Sequence, residues 1–304
     1  MQNDKFINDN MEKLVGQIVR TYQDDTGINF IDALNLPVRD KILDALDLLT
    51  ELLFPGYTGK RSVTKSNISF VVIDILYHVY TELVEQIERA YKYRCTMEKC
   101  DSGDCRRMAE EATRHLLSRI PAIRESLKGD VGAAFDGDPA AKSYEEIVIS
   151  YPCIDAIAKY RIAHELYIKE VPLIPRIMTE FAHSKTGIDI HPGAKIGRNF
   201  FIDHGTGVVI GETTVIGDNV KIYQGVTLGA MSFPKDERGN IIKGGKRHPT
   251  IEDNVVIYAE ATILGDVIIG KDAVIGGNVW LKESVPAGVT VSMAKSELVY
   301  TKHK

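Results

Sequence analysis

Apolar side chains in the first part of the chain recur at helical spacing. Ile42, Leu46, Leu49 and Leu53 lie four, three and four residues apart, and Pro55-Gly56 comes next as a stop signal. Ile68, Val72, Ile75, Val79 and Leu83 repeat the pattern and predict a helix running on to Arg94. Asp101–Asp104 reads as a loop. Arg106–Leu117 reads as a further helix that Pro121 ends or kinks, because proline lacks the amide donor and its ring crowds the preceding turn. Ser143-Tyr-Glu-Glu146 has the form of a capping box, and Pro152 and Pro172 divide the stretch up to residue 185 into short helices.

Beyond residue 186 the period changes to six. Ile251, Ile257, Ile263, Ile269, Ile275 and Leu281 keep it without a miss, and Val255, Ala261, Val267, Ala273, Val279 and Val285 stand four positions after each. Ile190, Ile196 and Ile202 share the period; two extra residues then shift the frame, and Ile210, Ile216, Ile222 and Leu228 resume it. A period of six suits a short strand plus a turn, and three such units close a coil of about 18 residues in a triangular parallel β-helix. Gly197, Gly211 and Gly217 each directly follow an aliphatic, where a turn uses the freedom of glycine. Composition agrees. Residues 1–185 carry 16 Leu and 8 Gly, whereas residues 186–304 carry 4 Leu, 17 Gly, 15 Ile and 14 Val, and β-branched side chains favour extended backbone. The chain is therefore read as α+β. A helical domain over residues 1–185 precedes a parallel β-helix of hexapeptide repeats over 186–289, with an inserted loop at 229–250 and a tail at 290–304.

Charge and cysteine usage exclude several classes. The net charge of −5 provides no basic field for nucleic acid. No apolar run approaches the roughly 20 residues of a membrane span; the best, Ile68–Leu76, contains Asp74. The start, Met1-Gln-Asn-Asp-Lys, lacks the basic and apolar regions of a signal peptide. Four cysteines in 304 residues read as reduced thiols of a cytoplasmic protein. Cys95, Cys100 and Cys105, five apart, fit neither one helix face nor a zinc finger, and Cys153 reads as core.

Two features carry chemistry. The repeat fails between Leu228 and Ile251, where Lys243, Lys246, Arg247 and His248 stand around Gly244-Gly245; such a group suits a carboxylate or phosphate, and a solvated loop reads equally well. His204 lies in Ile202-Asp-His-Gly-Thr-Gly207, where the frame slips, and irregularities in a repeat are common places for chemistry. Asp189, fifteen residues earlier, falls on the adjacent coil but displaced sideways, so spacing permits an Asp–His pair without requiring it. A structural His204 and a three-His zinc site from His191, His204 and His248 across a subunit boundary stay open on spacing alone.

Asp189-Ile-His-Pro-Gly-Ala-Lys-Ile-Gly197, Asp203-His-Gly-Thr-Gly-Val-Val-Ile-Gly-Glu-Thr213 and Lys246-Arg-His-Pro249 resemble the serine O-acetyltransferases, hexapeptide-repeat acyltransferases that make O-acetylserine for cysteine synthesis. Asp136-Gly-Asp138-Pro-Ala and Tyr160-Arg-Ile-Ala-His164 resemble the family's segment ahead of the β-helix, so the match covers residues 130–290. The resemblance implies a left-handed β-helix and acetyl transfer from acetyl-CoA to L-serine, with no metal. It implies His204 as general base oriented by Asp189. Asp138 and Asp203 would hold the serine ammonium, and Arg247 and His248 its carboxylate. Acetyl-CoA would lie between adjacent β-helices near Gly229 and Ala259, with Lys243 and Lys246 adding positive charge. The resemblance further implies active sites between subunits of a homotrimer or a dimer of trimers, and feedback inhibition by L-cysteine.

The residue types suit that reaction. A neutral imidazole can take the serine hydroxyl proton as oxygen attacks the thioester, and a carboxylate behind it fixes the tautomer. The chain also departs from the family. Its loop is longer than the usual Gly-rich version, and the tail lacks both the Gly-x-Pro-Ala segment over CoA and the terminal Ile that enters cysteine synthase, which argues against that complex. The rival readings are O-phosphoserine as acceptor through Lys243 and Lys246, another hydroxyl or amine such as a sugar, a zinc lyase of the carbonic anhydrase type, and a non-catalytic trimeric scaffold.

Overall fold

Helices form where the leucine spacing places them. The computed structural model describes residues 2–23, 27–31, 36–59, 61–98, 103–232, 236–239, 242 and 244–294; Cys100, Lys243 and residues 295–304 of the tail lie outside the described residues. Residues 1–35 form a unit of their own, whose helix α1 (Gln2–Thr21) the sequence pattern did not signal. Met11, Leu14, Val15, Ile18 and Val19 make an exposed stripe along it.

The second unit, residues 36–304, begins with α2 (Arg39–Leu53) and α3 (Ile68–Glu98). Ile42, Leu46, Leu49 and Leu53 of α2 and Ile75, Val79 and Leu83 of α3 are buried together. Helix α4 (Cys105–Gly137) corrects part of the expectation at Pro121, for the helix does not end there but continues past that residue. A mid-helix proline costs about 3 kcal/mol. Leu116, Ile120, Ile123 and Leu127, spaced four, three and four, are all buried across the site, and each such side chain contributes roughly 1.5–3 kcal/mol. Packing on both sides therefore outweighs the one lost hydrogen bond.

Helix α5 (Tyr144–Ser150) starts at the predicted cap: Ser143 Oγ accepts from the Glu146 amide at 3.2 Å, while the Glu146 carboxylate reaches back to the Lys142 amide at 2.8 Å. Helices α6 (Pro152–Tyr167) and α7 (Ile174–Thr186) complete the helical part.

Fourteen short parallel strands among the described residues then wind into a β-helix of three columns. The first holds β1 (Asp189–Ile190), β4 (Val209–Ile210), β7 (Thr227–Gly229), β10 (Thr262–Leu264) and β13 (Trp280–Leu281). The second holds β2 (Lys195–Ile196), β5 (Val215–Ile216), β8 (Thr250–Ile251) and β11 (Ile268–Ile269). The third holds β3 (Phe201–Asp203), β6 (Lys221–Tyr223), β9 (Val256–Ile257), β12 (Val274–Ile275) and β14 (Thr290–Val291). Ile190, Ile202, Ile210, Ile222, Leu228, Ile257, Ile263 and Ile275 point inward and are buried.

Register displays both irregularities. Val209 pairs with Thr227 and Thr250 with Ile268, one regular coil apart, but Asp189 pairs with Val209, two residues further. Val215 pairs with Thr250, so the whole insertion is looped out between β7 and β8 without disturbing the stack. The glycines after the aliphatics are needed for a different reason from that expected. Left-handed backbone falls instead on Asn199, Asn219, Asn254 and Asp272, whose side chains form a hydrogen-bonded ladder at 2.7, 3.0 and 2.8 Å. A Cβ at Gly197 would stand 2.6 Å from the Gly217 carbonyl oxygen of the next coil, so what counts there is the absence of a side chain.

The open first coil is capped by α6. Tyr160 donates to Ala194 O at 2.6 Å, His164 Nδ1 to Pro192 O at 2.8 Å, and Arg161 to Gly197 O at 2.9 Å, supplying donors that a preceding coil would otherwise provide.

Candidate active site

The two irregularities place the candidate residues at two different corners of one prism. The frame slip lies between β3 and β4, at the corner joining the third and first columns. Its extra residues put His204 at φ 60° and Gly205 at φ 91°, both left-handed, and Gly205 abuts Ile188, which a Cβ would strike at 2.5 Å. A non-glycine residue held there is strained by about 1–3 kcal/mol. The strain projects the imidazole outward, with 72% of its side chain exposed.

Three carboxylates attend this corner. Asp203 Oδ1 lies 3.7 Å from His204 Nδ1, and Asp203 Oδ2 lies 3.4 Å from Lys221 Nζ. Asp138, just past the end of α4, accepts from the Ala140 amide at 2.8 Å and from the Tyr151 hydroxyl at 2.6 Å. The Tyr151 bond, helped by the Ala140 amide and by charge on His204 and Lys221, holds the Asp138 carboxyl below its ordinary range. Asp189 sits on the coil beneath the turn, its amide bonded to Val208 O at 2.9 Å. Among the described residues no hydrogen bond joins Asp189 to His204. The Asp189 carboxylate instead lies within 4.8 Å of ligand atoms of Glu180 and His183, the only group of three or more such side chains to converge among the described residues. His191 lies near enough to act electrostatically on His248 at the loop corner, but His204 stands at the other corner and the three do not converge.

The second corner, between the first and second columns, carries the inserted loop. Glu212 accepts from the Tyr167 hydroxyl at 2.7 Å and from Arg247 Nη2 in a close ion pair. Burial works against ionisation of Glu212, but these two donors hold its carboxyl below the usual range. Thr213 pins the loop: its hydroxyl accepts from the amides of Arg247 at 3.0 Å and His248 at 3.2 Å, and its amide donates to His248 Nδ1 at 3.1 Å. That bond leaves the imidazole proton on Nε2. The ring packs so closely on Gly211 that a Cβ there would come within 2.1 Å of it. Lys246 Nζ is engaged by the carbonyls of Thr213 at 2.7 Å and Pro249 at 3.3 Å. Gly229 ends β7 at the mouth of this loop, whereas Ala259 lies two coils along the corner of His204.

His248 yields a pH prediction. Burial first and Arg247 second push its pKa down to about 4 from an ordinary 6.5. The unfolded chain therefore binds the extra proton between these values, so the stabilisation is complete above pH 6.5 and fades as pH falls toward 4. The gap in unfolding free energy between the wild type and His248→Gln, read from urea titrations, is expected to shrink over that window by on the order of 1–3 kcal/mol. A gap that stays constant with pH would refute it.

The sequence pattern assigns no role to Tyr151, Tyr167, Glu212, Thr213 or Lys221; Glu212 and Thr213 stand at the end of the Asp203–Thr213 motif, whereas Tyr151 and Lys221 carry no signal of their own.

Comparison with known proteins assigns the arrangement. The family described as bacterial transferase hexapeptide (six repeats) matches residues 248–283. A protein of Synechococcus elongatus named serine acetyltransferase, plasmid, is 48% identical over 263 residues, spanning 86% of this chain and 82% of that one. The crystal structure of serine acetyltransferase isoform 3 from Entamoeba histolytica in complex with cysteine superposes with a TM-score of 0.70 at 39% identity, covering 85% of this chain and 84% of that one. That of Entamoeba histolytica serine acetyltransferase 1 in complex with L-cysteine gives 0.70 at 34%, covering 96% and 100%. With helices leading into a hexapeptide left-handed β-helix, and with this identity over most of both chains, the protein belongs to the serine acetyltransferase family and is an acyltransferase.

Proposed function

We propose that this enzyme transfers the acetyl group of acetyl-CoA to the hydroxyl of L-serine, giving O-acetyl-L-serine and CoA, as the first step of cysteine biosynthesis in the cytoplasm. The observation that carries the reading is the division of charge between two corners. Asp138 and Asp203 flank His204 at one, and Arg247 and His248 stand at the other. A zwitterionic amino acid needs both kinds of partner, one for its ammonium and one for its carboxylate. Because the two sets stand at different corners of one prism, the reading seats the substrate between adjacent prisms of a homotrimer, with the corner of one facing the loop of the next.

Neutral His204 takes the hydroxyl proton while the serine oxygen attacks the thioester carbonyl. The tetrahedral adduct collapses with breakage of the C–S bond, and the imidazolium returns the proton to the departing CoA sulfur. Asp203 at 3.7 Å supplies nearby negative charge, and the role of orienting the ring falls to Asp189 on the coil below once its carboxylate turns from Glu180 and His183. No acyl-enzyme is needed, and burial, with the charge of Asp203 after it, pushes the Cys153 thiol up to about 12. CoA runs along the His204 corner past Ala259, facing Gly229 of the neighbour. L-cysteine, which differs from serine by one atom, competes for the same two half-sites.

Release of CoA thiol from acetyl-CoA is expected to require L-serine and to be absent with O-phosphoserine, whose side-chain oxygen is already esterified and has no proton for His204 to take. The composite site has a sharper test. At low serine, where Arg247→Ala chiefly loses substrate binding, His204→Asn and Arg247→Ala should each be nearly inactive alone. Trimers assembled from an equal mixture should regain about a quarter of the wild-type sites by random assortment. No recovery from verified mixed trimers would exclude a site shared between subunits.

A further inference from the structure

Tyr151 occupies the single residue between α5 and α6. Its amide donates to Ile147 O at 3.1 Å and its carbonyl accepts from the Ile154 amide at 3.1 Å. Pro152 comes next and restricts its backbone to the extended region it adopts, at φ −82° and ψ 116°. The phenol is thus carried on a post held from both sides. Its hydroxyl reaches Asp138 Oδ2 at 2.6 Å, thirteen residues earlier in sequence and across a helix junction. An ionised carboxylate can only accept, so the phenol donates. The Ala140 amide takes the other oxygen at 2.8 Å, and the two bonds together fix both the position and the plane of the carboxylate.

The opposite wall is tied down independently. Lys221 Nζ donates to the Gly137 carbonyl at 2.6 Å, one residue before Asp138, and lies 3.4 Å from Asp203 Oδ2. The spacing between Asp138 and Asp203 is therefore set by Lys221, while the direction of Asp138 is set by Tyr151. A bond between a phenol and a partly exposed carboxylate contributes little to folding. What it secures is orientation.

We propose that Tyr151 is a positioning residue of the acceptor pocket, whose hydroxyl aims the Asp138 carboxylate at the ammonium of the amino-acid substrate. The inference rests on the reading of Asp138 given above. Asp138 holds the Tyr151 hydroxyl proton, its pKa pushed up to about 12, so the phenol stays a donor throughout the working range.

The test is Tyr151→Phe in the full chain, alongside Asp138→Asn and the double variant, with melting temperatures as a check on folding. Three constants are measured: kcat, KM for L-serine, and the inhibition constant of 3-hydroxypropionate, which is serine without its amino group. Tyr151→Phe is expected to raise KM for serine about 5- to 10-fold, leave kcat within about twofold, and leave 3-hydroxypropionate binding unchanged. The double variant should be no worse than Asp138→Asn, because the phenol acts only through that carboxylate. If Asp138→Asn weakens serine selectively while Tyr151→Phe does not, or if the two effects simply add, the role of Tyr151 is overturned and the pocket stands. If Asp138→Asn itself leaves serine binding unchanged, the ammonium reading fails, and the role of Tyr151 fails with it. A fall in kcat together with weaker binding of both ligands would mark Tyr151 as merely structural.

Discussion

His204→Asn is expected to lower kcat by about 10²–10⁴-fold while the protein melts at or slightly above the wild-type temperature. The choice of Asn comes from the backbone. His204 holds φ 60°, and Asn is among the side chains that tolerate the left-handed region best. Alanine would add strain and blur the result. The imidazole is 72% exposed, so its removal forfeits little packing. Catalytic loss and structural loss therefore separate cleanly, and both can be read from one preparation by steady-state rates and thermal denaturation. Turnover within tenfold of wild type would remove His204 from the chemistry. A matching collapse in melting temperature would show that the turn, not the base, had been damaged.

This residue also shows how far the sequence could be read. A repeat of six makes every departure visible, so both the frame slip at His204 and the insertion before Thr250 are legible in the sequence alone. The register turns each departure into a place: two additional residues at one corner, a looped-out segment at another. Which corner faces which partner is not written in the period. That Asp138 belongs with Asp203 came only through resemblance, because the contact depends on the end of α4 docking against β3. Tyr151 was invisible for the same reason. Its partner is fixed by two helix junctions, and neither junction leaves a periodic trace. At Pro121 the local rule allows either an end or a kink, and buried aliphatics on both sides carry the helix past it.

The largest effect on stability is expected at Asp130. This carboxylate is fully buried between α4 and the first coil. Its oxygens accept from Arg161 Nε at 2.8 Å and Nη2 at 2.9 Å, and one of them also accepts from the Phe200 amide at 2.9 Å. Arg161 in turn donates to Gly197 O at 2.9 Å. Asp130→Ala leaves a guanidinium buried without its counter-charge and an amide without its acceptor, which should cost about 3–5 kcal/mol. Asp130→Leu combined with Arg161→Met should recover part of that loss, since removing both charges also removes the unpaired one. Urea denaturation of the wild type, Asp130→Leu, Arg161→Met and their double variant gives the coupling directly. A single-variant cost below about 1 kcal/mol would mean that the pair does not hold the helices to the coil. The functional consequence runs along the same helix. Asp138 lies two turns beyond Asp130, where α4 ends against β3. Loosening that dock should move one ammonium-binding carboxylate away from the other, so the surviving folded Asp130→Ala protein is expected to show a raised KM for serine with its KM for acetyl-CoA little changed.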